Sequence, residues 1–281
     1  MPGFGRKSAD WGWIALFAAL AGALLWRNLV LDRPHIGVLD LGPIEISPFG
    51  LFVALDILFG YYLVRRWCLR FGLDWDGLAD GMVWIVVLGL YLSHLVSVAA
   101  YYPEDLLDWR VLLDVRTRIS SFGGMFGGGL VAAWWLRRRS LDFRTYADGL
   151  VYGFVGGYIF GRAGCFSVHD HPGRPTELPW GVSIDGVSRH DLGLYEMFLM
   201  IGLFLLINRL SRDARPRSGM VLGLTATLYA PVRFAFDSLR IADVRYAGLT
   251  PGQWFAIPLL LVGLWALRTA GAGESRRSAG R

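Results

Sequence analysis

The sequence predicts an all-α protein that crosses a membrane several times. Hydrophobic residues make up 54% of the 281 positions and charged residues only 18%, whereas a soluble domain has roughly 25% charged residues. The charges lie in short clusters between long apolar stretches, which is the layout of a polytopic membrane protein. These features exclude a disordered or fibrous chain and make a soluble enzyme a poor fit.

Eight apolar segments are predicted to form membrane-spanning helices. They cover residues 11–30, 48–64, 80–100, 122–136, 145–163, 193–208, 218–236 and 250–267. The first segment has the basic start of a signal peptide but no A-x-A cleavage signal, so it is interpreted as a retained helix. The fourth begins in the glycine-rich stretch SSFGGMFGGGL, which favours either close helix packing or the lining of a lipid cleft.

The arginine distribution predicts that both termini are cytoplasmic. Most of the 28 basic residues fall in one alternating set of connections, with clusters at 65–70, 137–144, 209–217 and 268–281. Cytoplasmic loops carry an excess of Lys and Arg, so the connections after the third, fifth and seventh spans are predicted to face the periplasm. This bias also explains the net charge of +5 without nucleic acid as a partner. Cys68 and Cys165 are predicted on opposite faces, and no disulfide is expected.

A first concentration of polar residues follows the fifth predicted span, in residues 157–186. Arg162 still belongs to the apolar run, which is an expensive position for a charge unless it is paired or binds a ligand. It could also snorkel to the lipid headgroups. His169 or His171 could accept a proton with Asp170 as its orienting partner, or the two histidines could be exposed loop residues with no catalytic role. A second histidine at 171 without a third ligand is a weak indication of metal binding, and no metal site is predicted.

A second concentration lies in residues 229–253. Tyr229, Arg233, Asp237 and Arg240 recur at spacings of four, four and three, so they share one face of a helix. Arg233 and Asp237 are therefore expected to form an ion pair, which could be purely structural. A guanidinium presents a planar fork of donors to phosphate oxygens. The two span ends that carry Arg162 and Arg233 therefore predict a cleft for phospholipid phosphate.

These residues resemble the bacterial prolipoprotein diacylglyceryl transferase family. The family signature G-R-x-G-N-F-x-N-x-E-x-x-G aligns without a gap with GRAGCFSVHDHPG at 161–173. A Tyr-x-x-x-Arg-Phe helix followed by a Leu-Thr-x-Gly-Gln turn is similar to residues 229–234 and to LTPGQ at 249–253. Weaker similarities include SPFGLFVAL at 47–55 and LYE at 194–196. The likeness covers residues 45–267, so residues 1–44 are expected to add a helix and a periplasmic linker, and residues 268–281 a disordered cytoplasmic tail.

The resemblance implies an inner-membrane enzyme that moves the diacylglyceryl group of phosphatidylglycerol to the lipobox cysteine of a lipoprotein precursor. It implies no cofactor and a site that faces the periplasm, at the ends of the fifth and seventh spans. Arg162 and Arg233 match the two key arginines and are expected to be catalytic, together with His169 and Asp170. The expected substrate-binding positions are Cys165, Gly173, Tyr229, Asp237, Arg240 and Gly123.

The chain departs from the family pattern at several of these positions. The signature asparagine is Cys165, the acidic position is Asp170 rather than Glu, and the family histidine falls on Gly123 or Gly127. His169 is the candidate to replace that base. These departures keep two alternatives open: a non-catalytic relative that binds phospholipid or precursors, and a transferase with a different acceptor or lipid. A transporter is the weakest alternative, because the charges lie near the span ends.

Overall fold

The computed structural model describes residues 39–40, 45–46, 48–115, 118–184, 186–241 and 243–271. The predicted helix at 11–30 and the tail beyond residue 271 lie outside these residues. The proposed division into an added N-terminal segment and a membrane domain starting at residue 45 therefore stays a prediction.

The described part of the chain is mostly helical, as the sequence predicts. Its eight α-helices are α1 (Pro48–Arg70), α2 (Trp75–Tyr101), α3 (Trp109–Leu113), α4 (Ser121–Arg138), α5 (Phe143–Val168), α6 (Leu192–Leu210), α7 (Met220–Asp237) and α8 (Pro251–Arg268). The seven long helices lie at seven of the predicted apolar segments. Within the described ranges, α2 and α6 are long and apolar enough to cross a membrane, by length and composition.

Short strands connect some of these helices, which the all-α prediction missed. Strands β1 (Leu39–Asp40) and β2 (Glu45–Ile46) pair antiparallel. Strands β3 (Pro172–Pro175), β4 (Val182–Ile184) and β5 (Val187–Asp191) form an antiparallel sheet in the order β3-β5-β4. Strands of two to five residues are too short to show a clear alternating pattern. The sheet matters for the site because β5 runs directly into α6.

The described residues group into two compact units, and each is considered by itself. The first contains the residues up to Phe59 and Gly156–Ile201, and the second contains Gly60–Val155 and the residues from Gly202 onward. In the first unit, Asp56 of α1 lies against Gly157 and Gly161 of α5. A Cβ at either glycine would come within 2.6 Å of a carboxylate oxygen of Asp56. Small residues four positions apart thus let the two helices approach closely.

In the second unit, α2 packs against α4, and α7 packs against α8. A Cβ on Gly123 of α4 would lie 2.8 Å from the Cα of Ser93 in α2, so the glycine-rich stretch supports tight helix packing. The core of this unit contains Val64, Cys68, Leu78, Met82, Trp135, Leu136 and Tyr146. Both cysteines of the chain are free and buried.

Candidate functional site

Arg162 is a buried arginine in the last turns of α5. Its side chain is 2% exposed, and its Nε lies 2.7 Å from Oε2 of Glu196, which is 1% exposed. The other guanidinium nitrogens donate to the hydroxyl of Tyr158 and, at 3.6 Å, to Sγ of Cys165. The interpretation that Arg162 snorkels to the headgroups is therefore wrong, because the guanidinium is enclosed by protein groups.

The partner of Arg162 comes from a distant part of the sequence. Glu196 lies in the first turns of α6, and in the sequence it stands out only as part of the LYE similarity. Asp56 of α1 also interacts electrostatically with Arg162. A buried charge needs such partners, because removal from water is costly unless the charge is paired and hydrogen-bonded. The close contact with Glu196 orients the guanidinium, and Asp56 adds a second acidic group nearby.

His169 follows the end of α5 in a left-handed conformation. Its φ is +49°, and its N–H donates to the carbonyl of Phe166 at 3.4 Å. The N–H of Asp170 donates to the carbonyl of Cys165, also at 3.4 Å. These two bonds form a Schellman motif, in which the left-handed position is usually glycine. The turn reverses the chain direction immediately after the helix.

The ring of His169 pairs with Asp191. Nδ1 of His169 lies 2.7 Å from Oδ2 of Asp191, and the side chains are 5% and 1% exposed. The other carboxylate oxygen of Asp191 accepts a hydrogen bond of 2.9 Å from the backbone N–H of Leu194. Asp191 thus caps the N-terminus of α6 and holds the histidine at the same time.

Asp170 was the predicted orienting partner of one of the two histidines in this loop, His169 or His171. The structure places the carboxylate of Asp170 against Nδ1 of His171 and not against the ring of His169. The reason is the left-handed turn together with β3, whose Pro172 pairs with Asp191 of β5. That pairing brings the distant aspartate to His169. Gly173, a predicted substrate-binding position, is buried within β3.

The second unit holds another buried arginine. Nη1 of Arg233 lies 2.6 Å from Oδ1 of Asp237, and the side chains are 2% and 0% exposed. The predicted ion pair is thereby confirmed. The guanidinium carbon lies 4.7 Å from the ring centroid of Phe122, which fits a cation–π contact. Tyr229, one turn earlier in α7, is buried as well.

The turn before α8 holds Asp237 in place. The hydroxyl of Thr250 donates to Oδ2 of Asp237, and Thr250 forms a capping box with Gln253 at the start of α8. Nε2 of Gln253 donates to the hydroxyl of Ser238 at 2.9 Å. Arg240 is more exposed, and its Nη1 lies 3.7 Å from Asp237 Oδ1. The LTPGQ segment therefore fixes the acidic partner of Arg233.

The position of the missing family histidine has no room for a side chain. A Cβ on Gly123 would lie 2.8 Å from both Cα and O of Ser93, and a Cβ on Gly127 would lie 2.4 Å from Cβ of Leu92. Real Cβ atoms essentially never lie this close to a non-bonded heavy atom, so the surrounding atoms would have to shift. An imidazole at either position would force α4 away from α2, so the departure is built into the helix packing.

The fold and these residues define a class of helical membrane protein in which buried arginines are paired with carboxylates. The sequence profile described as prolipoprotein diacylglyceryl transferase matches residues 37–269. The chain belongs to the prolipoprotein diacylglyceryl transferase family, a family of membrane enzymes.

Individual relatives cover almost the same region. The chain is 37% identical over 262 residues to the phosphatidylglycerol–prolipoprotein diacylglyceryl transferase of Nitratidesulfovibrio vulgaris strain DP4, covering 86% of this chain and 97% of the relative. It is 31% identical over 249 residues to the protein of the same name from Chromohalobacter salexigens, covering 84% and 92%. The corresponding protein of Pseudomonas fluorescens is 28% identical, covering 85% and 94%. These relatives confirm the resemblance found in the sequence.

Proposed function

We propose that this chain transfers the diacylglyceryl group of phosphatidylglycerol to the lipobox cysteine of a lipoprotein precursor. The relatives in the comparison carry this activity in their names. The observation that supports the proposal most is the buried and oriented guanidinium of Arg162, which matches the arginine of the family signature.

In the proposed reaction, the cysteine sulfur forms a thioether bond to the glycerol carbon that bears the phosphate ester. The carbon–oxygen bond breaks, and its electron pair leaves with glycerol phosphate. Arg162 in the first unit is proposed to bind phosphate oxygens and to stabilise the charge that develops on the leaving group. Arg233 in the second unit matches the other key arginine of the family and is proposed to be required for transfer as well. A guanidinium suits this role because it stays charged and offers a planar set of donors.

His169 is proposed to remove the thiol proton. Asp191 accepts a hydrogen bond from Nδ1–H in the 2.7 Å contact, which would leave Nε2 as the basic nitrogen. The carboxylate would also stabilise the imidazolium after proton transfer, as in other histidine–aspartate pairs. The proton then leaves from Nε2 to the departing glycerol phosphate or to water.

The proposal includes the membrane arrangement predicted from the sequence. The chain would cross the inner membrane eight times with both termini in the cytoplasm, and the arginine-bearing helix ends would face the periplasm. The positive-inside bias of the basic clusters supports this orientation. Cysteine labelling from either side of the membrane, at single cysteines introduced into the connections, would test it.

The experiment that tests the function is complementation with a mass measurement. The chain is expressed in bacteria depleted of their own transferase, and a reporter precursor with a lipobox cysteine is weighed. We expect a gain of one diacylglyceryl group, lost in Arg162→Ala and Arg233→Ala. Arg139→Ala is the matched control, because its pair with Asp80 is exposed. No gain from a well-expressed, membrane-inserted chain would contradict the proposal and favour the relative that only binds lipid or precursor.

The role of His169 needs a variant that tolerates its backbone conformation. Asparagine adopts the left-handed region more readily than alanine, so His169→Asn separates loss of the ring from backbone strain. We expect transfer to fall by about 10²–10⁴-fold, the usual contribution of a positioned base. His190→Asn, which changes a histidine bonded to Tyr195, is the control. Undiminished transfer in His169→Asn would remove His169 from the mechanism while leaving the transferase proposal intact.

A further inference from the structure

We propose that Cys165, Asp170 and His171 form a binding site for a divalent transition metal such as Zn²⁺. One ligand atom from each residue, the sulfur, a carboxylate oxygen and an imidazole nitrogen, lies within 4.8 Å of the other two. The sequence alone predicts no metal site, because two neighbouring histidines without a third ligand are a weak indication of one. In the structure His171 is instead joined by Asp170 and by Cys165 from the last turn of α5, whereas His169 pairs with Asp191. This inference does not depend on the transfer reaction.

The backbone holds the three residues in this arrangement. The Schellman motif bonds the N–H of Asp170 to the carbonyl of Cys165 at 3.4 Å, which returns the chain over the helix end. The carbonyl of His171 accepts a hydrogen bond of 3.2 Å from the N–H of Leu192 at the start of α6. Both ends of the ligand segment are therefore tied to helices, so little ordering is needed when a metal binds.

The donor set selects a class of metal. Thiolate and imidazole are typical ligands of Zn²⁺ and neighbouring transition metals, whereas Mg²⁺ and Ca²⁺ prefer oxygen ligands alone. Three protein ligands leave a fourth position of a tetrahedral site for water. The ligands also become more accessible along the segment, since the side chains of His171 and Asp170 are 23% and 36% exposed. A metal ion could therefore enter from solvent.

The charges of the surroundings are compatible with a cation. Nη1 of Arg162 lies 3.6 Å from Sγ of Cys165, and an uncompensated guanidinium would repel a metal ion. The buried carboxylate of Glu196, 2.7 Å from Nε, offsets that charge. The thiolate of Cys165 and the carboxylate of Asp170 then balance the two positive charges of the metal.

Cobalt titration of the full-length protein tests the site. Tag-free protein in detergent is stripped with a chelator and titrated with Co²⁺, whose thiolate complexes absorb strongly by charge transfer. We expect about one equivalent of Co²⁺ to bind with this absorption and to be displaced by Zn²⁺. Cys165→Ser should abolish the charge-transfer absorption, and His171→Ala should weaken binding at least about tenfold. Cys68→Ser, which changes the other buried cysteine, should keep both the charge-transfer absorption and the affinity for Co²⁺.

Two outcomes would overturn the proposal directly. They are the absence of saturable Co²⁺ binding and a charge-transfer absorption that survives in Cys165→Ser. Thermal unfolding of each variant without metal establishes that it is folded. If Cys165→Ser does not fold, the more exposed His171→Ala decides the question, since wild-type affinity in that variant would also refute the site.

Discussion

Replacing Glu196 by glutamine is expected to destabilise the protein strongly. Glutamine keeps the size and an acceptor oxygen but removes the negative charge that faces Arg162 across 2.7 Å. Both side chains are at most 2% exposed, so water cannot replace the lost partner. Removing one member of a buried pair costs about 3–5 kcal/mol, because the other charge stays buried and uncompensated. Asp56 also interacts with Arg162 and partly compensates its charge, so the expected loss of stability lies at the lower end of this range, about 3 kcal/mol.

The measurement is the unfolding midpoint of the purified protein in detergent. A loss of about 3 kcal/mol corresponds to a decrease of about 6–12 °C for a chain of this size. The control is Asp80→Asn, which breaks the exposed pair with Arg139, where the side chains are 73% and 45% exposed and the atoms are 3.4 Å apart. An exposed pair contributes at most about 1 kcal/mol. Equal midpoints for Glu196→Gln and Asp80→Asn would refute the reasoning that Arg162 depends on a buried partner.

Three further predictions follow from the described contacts. Arg162→Lys should lose most transfer in the reporter mass assay although the charge is kept, because lysine lacks the planar fork; wild-type transfer would contradict this. Gly123→Ala should lower the free energy of unfolding by about 1–3 kcal/mol through overpacking. Gly129→Ala is the control, because no atom lies within 4 Å of the new Cβ, and it should change the free energy of unfolding by no more than about 1 kcal/mol. Similar values for the two variants would contradict the packing argument. Burial raises the pKa of Asp243, so its contribution to stability is present at low pH and is lost as pH rises through the folded-state pKa. Asp243→Asn should reduce the loss of stability with rising pH, measured as unfolding midpoints between about pH 4 and 8. An unchanged pH profile would refute the role of Asp243 in that loss.

The helices and one ion pair could be predicted because they depend on local sequence. Apolar runs of the right length identify the seven long helices of the described residues. The pair of Arg233 and Asp237 follows from a spacing of four on one helix, which brings the two side chains together without any knowledge of the tertiary fold. The resemblance to the family also rests on contiguous motifs, and the comparisons confirmed it.

The partners of Arg162 and His169 could not be predicted in the same way. Glu196 lies 34 positions after Arg162, and Asp191 lies 22 positions after His169. Only the short strands between α5 and α6 bring these partners close to Arg162 and His169. Those strands are too short for a periodic signal. Sequence proximity made Asp170 the expected partner of either neighbouring histidine, and Asp170 does contact His171. His169, in a left-handed conformation at the end of α5, pairs with the distant Asp191.

The capping box at the start of α8 has a consequence for the response of the protein to salt. Thr250, Gln253 and Asp237 are at most 3% exposed, and the contacts among them are hydrogen bonds inside the protein. Dissolved ions screen charges that water can reach, over a distance of about 8 Å at physiological ionic strength. They have little access to this cluster. The geometry around Arg233 is therefore expected to be the same at low and at high salt concentration.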